Sequence, residues 1–445
     1  MAKDSVREEV ITIDTLTFGG AGLGRIDGKV CFVPFTAVGD RVRIRIVTEK
    51  KSYVEGEILE FLDSSSERVA PPCPVFGVCG GCSWQHLPYE LQGKVKEDIF
   101  AEILMRATRI ERSRILPILS APNPYGYRSR VQFKVRYVAG KLFMGFFSKG
   151  THRVVDLPGG CAIANDQINS IFLQLRTILA AFPDPEKLPQ IDLATGDAGD
   201  AIVLFHYIGE RIAEVTAWLK REIPGRVPVT GVFLQQGRKI TINKIWGDER
   251  ITYSIPELIS DLPPFIMSFR CGGFSQVNYL QNSALVEIAL QWAELTGEER
   301  VLDLFCGNGN FSLPLARYCA EVVGYEDFAQ SIEDAVTNAR RNSIGTTSFF
   351  CKDSAVGVID LVRRGESFDV VVLDPPRTGA LEAVRVIPDL NPEKIIYVSC
   401  DPPTLARDLV VLQKNGYEIV KSCPVDMFPQ TYHVESITIL QKKVQ

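Results

Sequence analysis

The sequence predicts an α/β protein. A doubly wound, mostly parallel sheet fills the last 180 residues, preceded by a small OB-like β-barrel and a central α+β domain. Three observations carry this expectation. After Pro263-Pro264, short apolar strands alternate with helical patterns to the end of the chain. The first of these strands, Val301-Leu302-Asp303-Leu304-Phe305, is continuously apolar and runs into a glycine turn, as in a parallel sheet covered on both faces. Residues 9 to 61 instead hold short β-branched or alternating runs between turn residues, the pattern of small closed barrels. A length of 445 residues at about 150 per domain gives three units, drawn at 1–62, 63–265 and 266–445.

Composition limits the function classes. With 46% hydrophobic and 23% charged residues the chain reads as soluble and globular. No apolar run approaches the ~18 residues of a membrane span. The start, Met1-Ala2-Lys3-Asp4, lacks a signal-peptide pattern. A cytoplasmic monomer without a membrane partner is expected. Eleven cysteines, an odd count in a long chain, suit a reducing compartment where thiols serve metals or catalysis.

In the barrel, strands are expected at Glu9–Thr15, Lys29–Pro34, Arg41–Thr48 and Ser52–Phe61, punctuated by Gly19-Gly20-Ala21-Gly22 and Val38-Gly39-Asp40. Arg41, Arg43 and Arg45 alternate with apolar residues and so share one strand face. Such a face is ordinarily solvated, and on a small barrel it is also a common way to hold nucleic acid. A linker, Asp63 to Pro72, leads to a Cys/Gly knot at 73–82. The segment Tyr89–Thr108 has helical periodicity, with Leu91, Val95, Ile99, Ile103 and Leu104 on one side, and could pack on the C-terminal unit. From Arg106 to Arg153 there are 11 Lys and Arg against one acid, Glu111, a local net of +10 that leaves −15 for the rest. Seven aromatics lie among these cations, a mixture that suits phosphates and unstacked bases. It equally describes a solvated basic face with its aromatics in a core. Residues 128 to 260 alternate strand-like and helical patterns without a fingerprint.

In the C-terminal unit, Cys306-Gly307-Asn308-Gly309-Asn310 forms the turn after the first strand, and a helix is expected from about Phe311 to Tyr318. A second strand ends at Glu326, an acid placed to accept hydrogen bonds from ribose hydroxyls. A dinucleotide fingerprint would need glycine at 312, where the residue is Ser. The pattern Asp-Leu-Phe-Cys-Gly-Asn-Gly-Asn instead resembles the S-adenosylmethionine loop of class I methyltransferases. Further strands are expected at Ser348–Cys351, Phe368–Leu373, Lys394–Ser399, Tyr417–Lys421 and Glu435–Gln441. After the fourth strand comes Asp374-Pro375-Pro376-Arg377. Arg377 stands where amino-methylating enzymes usually carry an aromatic residue, which disfavours methylation of an exocyclic amine.

The fifth strand ends in Ser399-Cys400-Asp401-Pro402, so Cys400 sits on the ligand side of the sheet. A free cysteine at a strand end is often an inert buried thiol. Beside a methyl donor it can instead add to carbon 6 of a pyrimidine, making carbon 5 enolate-like, which is covalent catalysis. The scheme then needs a base for the carbon 5 proton. Glu435, an acid opening an otherwise apolar strand, fits that task, with His433 a second candidate.

These motifs together resemble the RNA (uracil-5-)-methyltransferases, particularly the bacterial 23S ribosomal RNA type, over nearly the whole chain. Residues 1–62 resemble its TRAM domain. Phe274-Ser275-Gln276-Val277-Asn278, the Asp303–Asn310 loop, Asp374–Arg377, Ser399–Pro402 and His433-Val434-Glu435 match its motifs in order. The resemblance implies S-adenosyl-L-methionine as cofactor and RNA as partner, 23S rRNA or tRNA. It places Gln276, Phe305, Asn310, Glu326, Asp353 and Asp374 at the cofactor or target uracil. It also makes Cys400 the nucleophile and Glu435 the base.

Cys73, Cys79 and Cys82 lie five and two residues apart beside glycines, and Cys161, after Pro158-Gly159-Gly160, is the best fourth ligand. Zinc usually takes two short Cys-x-x-Cys pairs, so this spacing suits a 4Fe-4S cluster better. The family resemblance implies such a cluster on the same four positions. Two other classes stay open. One is a non-catalytic iron–sulfur RNA-binding protein on a vestigial methyltransferase fold. The other is an iron–sulfur oxidoreductase, which Ser312 disfavours.

Overall fold

The computed structural model describes residues 7–237, 241–257 and 262–443. The Met1–Asp4 start, read above as lacking a signal peptide, lies outside the described residues.

Near the N-terminus a six-stranded sheet is built from Glu8–Thr12, Thr15–Leu16, Ala21–Ile26, Lys29–Pro34, Arg41–Glu49 and Tyr53–Asp63. Alternation turns Ile11, Ile13, Val33, Val42 and Ile44 into one core. Arg41, Arg43 and Arg45 do share the opposite face. Each has an acidic partner on the neighbouring strand: Asp63, Glu60 and Glu57 respectively. The cationic stripe is therefore matched by carboxylates in its own sheet, a pairing that one strand's sequence does not reveal.

Between about 125 and 247 lies a seven-stranded sheet, ordered Ile242–Gly247, Gly231–Gln236, Ala201–Tyr207, Gln190–Thr195, Arg130–Val138, Lys141–Phe147 and Val154–Asp156. The helices Asp166–Ile178 and Ile212–Glu222 contribute Phe172, Leu175, Trp218 and Leu219 to its core. Of the aromatics in the basic window, Tyr127 and Phe133 are buried there, Phe133 packing at a tilt against Phe172 with ring centroids 4.2 Å apart. Several of the cations are engaged within the chain. Arg112 pairs with Glu97, and Arg130 donates to the Gly273 carbonyl.

The C-terminal sheet has strands β1 (Arg300–Leu304), β2 (Glu321–Glu326), β3 (Thr347–Cys351), β4 (Val370–Leu373), β5 (Lys394–Ser399), β6 (Tyr417–Val425) and β7 (Glu435–Lys442). Their order is β3-β2-β1-β4-β5-β7-β6. β1 to β5 are parallel, and β7 inserts antiparallel between β5 and β6. The order reverses between β1 and β4, and a ligand crevice opens at the carboxyl ends on either side of such a switch.

The helix Tyr89–Thr108 forms as the sequence predicts, but its most buried face is different. Gln92, Lys96, Phe100 and Leu104 are buried, with Phe100 and Leu104 in the core under the C-terminal sheet. Leu91, Val95 and Ile99 are half-buried against Trp84 and Leu87. The helix is covered on two sides because Lys96 finds Asp426 and Gln92 finds Gln430. Strand Arg250–Ile255 pairs antiparallel with Phe265–Arg270, and both add side chains to the core on the other face of the C-terminal sheet. The sequence-drawn line between 265 and 266 cuts the second of these paired strands after its first residue.

Candidate active site

The glycine turn after β1 is shaped by backbone geometry. Phe305, Gly307 and Gly309 all have positive φ, at 65°, 54° and 88°. A Cβ on Gly307 would meet no heavy atom within 4 Å, so its bare backbone faces open space. The Gly307 N–H donates to Glu326 Oε2 at 3.2 Å, joining the ends of β1 and β2. Glu326 Oε1 accepts from the Phe328 N–H at 3.0 Å.

A cavity of about 1000 Å³ opens over these strand ends. Gln276, Phe305, Asn310, Glu326, Asp353 and Asp374 all line it, as do Cys400 and Glu435. Two of them also have local work. Asp353 caps the helix Ser354–Arg363 by accepting from the Val356 N–H at 3.0 Å. Asn310 exchanges two amide hydrogen bonds with Asn282, both 2.8 Å.

Antiparallel pairing explains how Cys400 and Glu435, 35 positions apart in sequence, come together. Ser399 of β5 is opposite Ser436 of β7. Continuing that register brings Cys400 opposite Glu435, and opposed side chains on one face stand about 4.5–5.5 Å apart at Cβ. Cys400 then feels the charge of Glu435. Burial pushes the Cys400 thiol up to about 12, and Glu435 and Asp374 push it the same way, while Arg377 opposes them. Burial also holds the Glu435 carboxyl well above the ordinary range, helped by Asp374 and again opposed by Arg377.

More carboxyls crowd the same region. Asp374 is pushed up to about 7 by burial and by Glu326. Asp303 is also pushed up to about 7, by burial first and then by Asp374 and Glu326 against the help of Ser312. One Asp303 oxygen accepts from the Ser312 hydroxyl, whereas Oδ1 is buried without a partner. Burial raises Glu326 as well. Buried carboxyls in this number disfavour one another's charged forms, and a cation among them would relieve that.

His433 lines the cavity beside Glu435, with Nε2 3.5 Å from an Arg377 nitrogen. Burial and the nearby Arg377, Lys96 and Arg128 depress its pKa to about 4, so the ring is neutral at pH 7. Arg377, noted in sequence only as a departure from an aromatic pattern, is the cation facing both Cys400 and Glu435. Sequence reasoning passed over Tyr253 and Phe428, which also line the cavity. Tyr253 stacks on Tyr279 with ring centroids 5.0 Å apart, and its strand carries no motif that would have marked it.

Cys73, Cys79, Cys82 and Cys161 share one neighbourhood. Burial raises the Cys82 thiol to about 12, and charge on Cys161, Cys79 and Cys73 would raise it further. Cys79 is raised to about 11, again mainly by burial, with Cys161 and Cys73 adding to it. Amide donors face two of the sulfurs: Gly81 N–H to Cys79 Sγ at 3.4 Å, and the Ile163 and Ala164 amides to Cys161. Among the described residues no group of three or more His, Cys, Asp or Glu is arranged to hold a metal ion.

Similarity to known proteins bears on the whole chain. A family model described as tRNA (Uracil-5-)-methyltransferase matches residues 117–443, and a TRAM domain model matches residues 5–59. An uncharacterized RNA methyltransferase of Thermosynechococcus vestitus is 36% identical, covering 97% of each chain. A protein of Alcanivorax borkumensis named 23S rRNA (uracil(1939)-C(5))-methyltransferase RlmD is 35% identical, over 98% of this chain and 96% of its own. Among solved structures, the tRNA (uracil-54, C5)-methyltransferase of Pyrococcus abyssi in complex with S-adenosyl-L-homocysteine shares the fold. Its TM-score is 0.74 over 96% of this chain and 99% of that one, at 24% identity.

Proposed function

Because this chain belongs to the tRNA (uracil-5-)-methyltransferase family, RNA uracil-C5 methyltransferases that use S-adenosyl-L-methionine, we propose that it methylates a uridine of 23S rRNA with Cys400 as nucleophile and Glu435 as base. Relatives bearing the 23S rRNA name align end to end at 34–35% identity, which favours ribosomal over transfer RNA. One juxtaposition carries the chemistry: the β5–β7 register sets a thiol beside a buried carboxyl in a cavity lined by further carboxyls.

The cavity suits the methyl donor. Buried Asp303, Asp374 and Glu326 offer negative charge, and Gly307 lets a ligand approach the backbone. Gln276, Phe305, Asn310, Glu326, Asp353 and Asp374 would hold it and the target uracil. When bound, S-adenosylmethionine supplies an electrophilic methyl on a positively charged sulfur.

The chain's own groups do the rest. The Cys400 thiolate adds to carbon 6 of uracil, forming a C–S bond and pushing electron density to carbon 5. Carbon 5 takes the methyl group and still carries its proton. Glu435 removes that proton, the carbon 5–carbon 6 double bond re-forms, and the thiolate leaves. Arg377, facing both groups, favours the thiolate and the carboxylate.

Cys73, Cys79, Cys82 and Cys161 hold a 4Fe-4S cluster in the same proposal. Four neighbouring thiols with amide donors facing two of them are what supports this reading. Functionally, residues 1–62 serve RNA binding, 63–265 carry the cluster, and 266–445 carry the methyl-transfer site.

Bulk RNA from a strain lacking this protein tests the chemistry. Cys400→Ala should give neither adduct nor product. Glu435→Gln should still add and transfer the methyl group, then stall as a denaturation-resistant protein–RNA complex already methylated, with the crosslink on Cys400. Turnover by Glu435→Gln at the native rate, or a crosslink on Cys306, would overturn the assignment.

A further inference from the structure

A second cavity, of about 290 Å³, lies between the N-terminal sheet, the cysteine-rich loop and the β6–β7 connection. That volume is near the lower end of ligand sites and fits one nucleotide, not a duplex. Its walls are tied together. Trp84 Nε1 donates to the Gly20 carbonyl at 3.1 Å, and the Ser83 and Trp84 amides donate to the Gln430 carbonyl at 2.9 and 3.1 Å. Gly20 has φ +85°, and a Cβ there would stand 3.0 Å from the Tyr432 ring, so only glycine lets this ring pack against the barrel turn. The crevice is thus preformed.

Its chemistry is aromatic and cationic. His433 lines both this cavity and the catalytic one. Rings run from the barrel into the active site: Phe18 to Tyr432 at 6.0 Å, Tyr432 to His433 at 4.2 Å, and His433 to Phe428 at 5.9 Å between centroids. On another wall, Lys149 Nζ sits 5.8 Å from the Phe35 ring centre. No acidic side chain is among the described residues lining this crevice, in contrast to the carboxyl-rich catalytic cavity.

We propose that this crevice binds the unstacked nucleotide adjoining the target uridine, its base against Tyr432 or Phe35 and its phosphate near Lys149. Stacking on aromatic rings is the sequence-tolerant way to hold a single-stranded base, and a lysine ammonium on the crevice wall suits one phosphate. The barrel then meets RNA through its Gly19-Gly20 and Pro34-Phe35 turns. Its arginine face is already paired with acids. This inference rests on the RNA reading above and adds where a neighbouring nucleotide sits.

Equilibrium binding of uridine 5′-monophosphate and of triuridylate to the full protein, with S-adenosyl-L-homocysteine present, tests it. Triuridylate should bind about 10-fold tighter or better, the value of one stacked base. Tyr432→Ala should remove most of that gain while leaving the monophosphate unchanged, and Tyr432→Phe should keep it. Lys149→Gln, on an exposed turn, should cut the gain and flatten its salt dependence, which covers the case that Tyr432→Ala fails to fold. Equal binding of the two probes by the native protein, or full gain in both Tyr432→Ala and Lys149→Gln, overturns the crevice. Bulk RNA methylated normally alongside such a result would leave the RNA reading standing; no methylation at all would bring down both.

Discussion

Removing Lys96 should loosen the catalytic end of the molecule by an amount that its surroundings define. Lys96 and Asp426 are both fully buried, Nζ to Oδ1 at 2.6 Å, and Nζ also donates to the Phe428 carbonyl at 3.1 Å. The pair fastens the helix Tyr89–Thr108 to the connection that carries Phe428 and His433 into the cavity. Asp426 Oδ2 has no hydrogen-bond partner within the chain, and the only other side-chain donor acting on this carboxylate among the described residues is the neutral Tyr89 hydroxyl, which cannot replace a cation. Lys96→Met keeps most of the stem's bulk and leaves the carboxylate without its cation. Breaking a buried pair from one side costs about 3–5 kcal/mol. At about 2–4 °C per kcal/mol for a unit of this size, Tm should fall by roughly 6–20 °C. Scanning calorimetry of the full chain reads this directly. The double change Lys96→Met with Asp426→Leu removes both charges and should recover most of the loss, because an apolar pair has no desolvation cost. A single variant within about 2 °C of the native protein, or a double variant no better than the single, would refute the claim that charge pairing anchors this connection.

Two further outcomes follow from the site and the cysteines. Asp303 and Asp374, at about 7 in the folded chain against about 3.9 unfolded, bind protons more tightly when folded. Their stabilisation is full below about pH 4 and is lost as pH rises through about 7. The Tm of the ligand-free protein should therefore fall between pH 6 and 8, and S-adenosylmethionine should raise it more at pH 8. A ligand-induced rise that is the same at both pH values would refute the charge argument. Anaerobically purified protein should be brown with about four iron and four sulfide per chain, and Ser at Cys73, Cys79, Cys82 or Cys161 should lower both. Stoichiometric zinc without sulfide would count decisively against the cluster.

Local patterns made the methyl-transfer unit legible. The ends of β1, β2, β4 and β5 carry short motifs, and Glu326, Asp374 and Cys400 are set by strand-to-turn transitions visible within ten residues. What the sequence could not supply was pairing. Glu435 gains its place from the β5–β7 register, a contact between segments 35 positions apart. The central sheet was opaque for the same reason: Ala201–Tyr207 is covered almost throughout and pairs with Gly231–Gln236 across an intervening helix, so no alternation marks it. Strand Ala21–Ile26 begins inside Gly19-Gly20-Ala21-Gly22, which reads in sequence as turn punctuation. A Cβ on Gly22 or Gly24 would lie 2.1 Å from Thr36 Oγ1 or 2.2 Å from the Thr12 carbonyl, so these glycines permit close packing inside the barrel. The buried face of the helix Tyr89–Thr108 misled because Lys96 and Gln92 read as solvent-facing until their partners, more than 300 residues away, are known.

Burial gives the active site a charge logic that depends on what fills it. Burial first, and then negative charge on Glu435 and Asp374, disfavour the Cys400 thiolate, and the thiol, pushed up to about 12, holds its proton. The same burial favours the protonated form of Glu435 against the pull of Arg377. Neither shift favours the form that the proposed chemistry requires. A positive charge placed among Glu326, Asp374 and Asp303 favours their ionised forms by direct attraction, and it favours a thiolate at Cys400 and a carboxylate at Glu435 as well. The donor's sulfonium is such a charge. A reactive thiolate in a cavity open to solvent would be exposed to oxidation and alkylation. In the proposed mechanism, coupling its formation to the arrival of a cation would keep Cys400 unreactive until the methyl group is in the cavity.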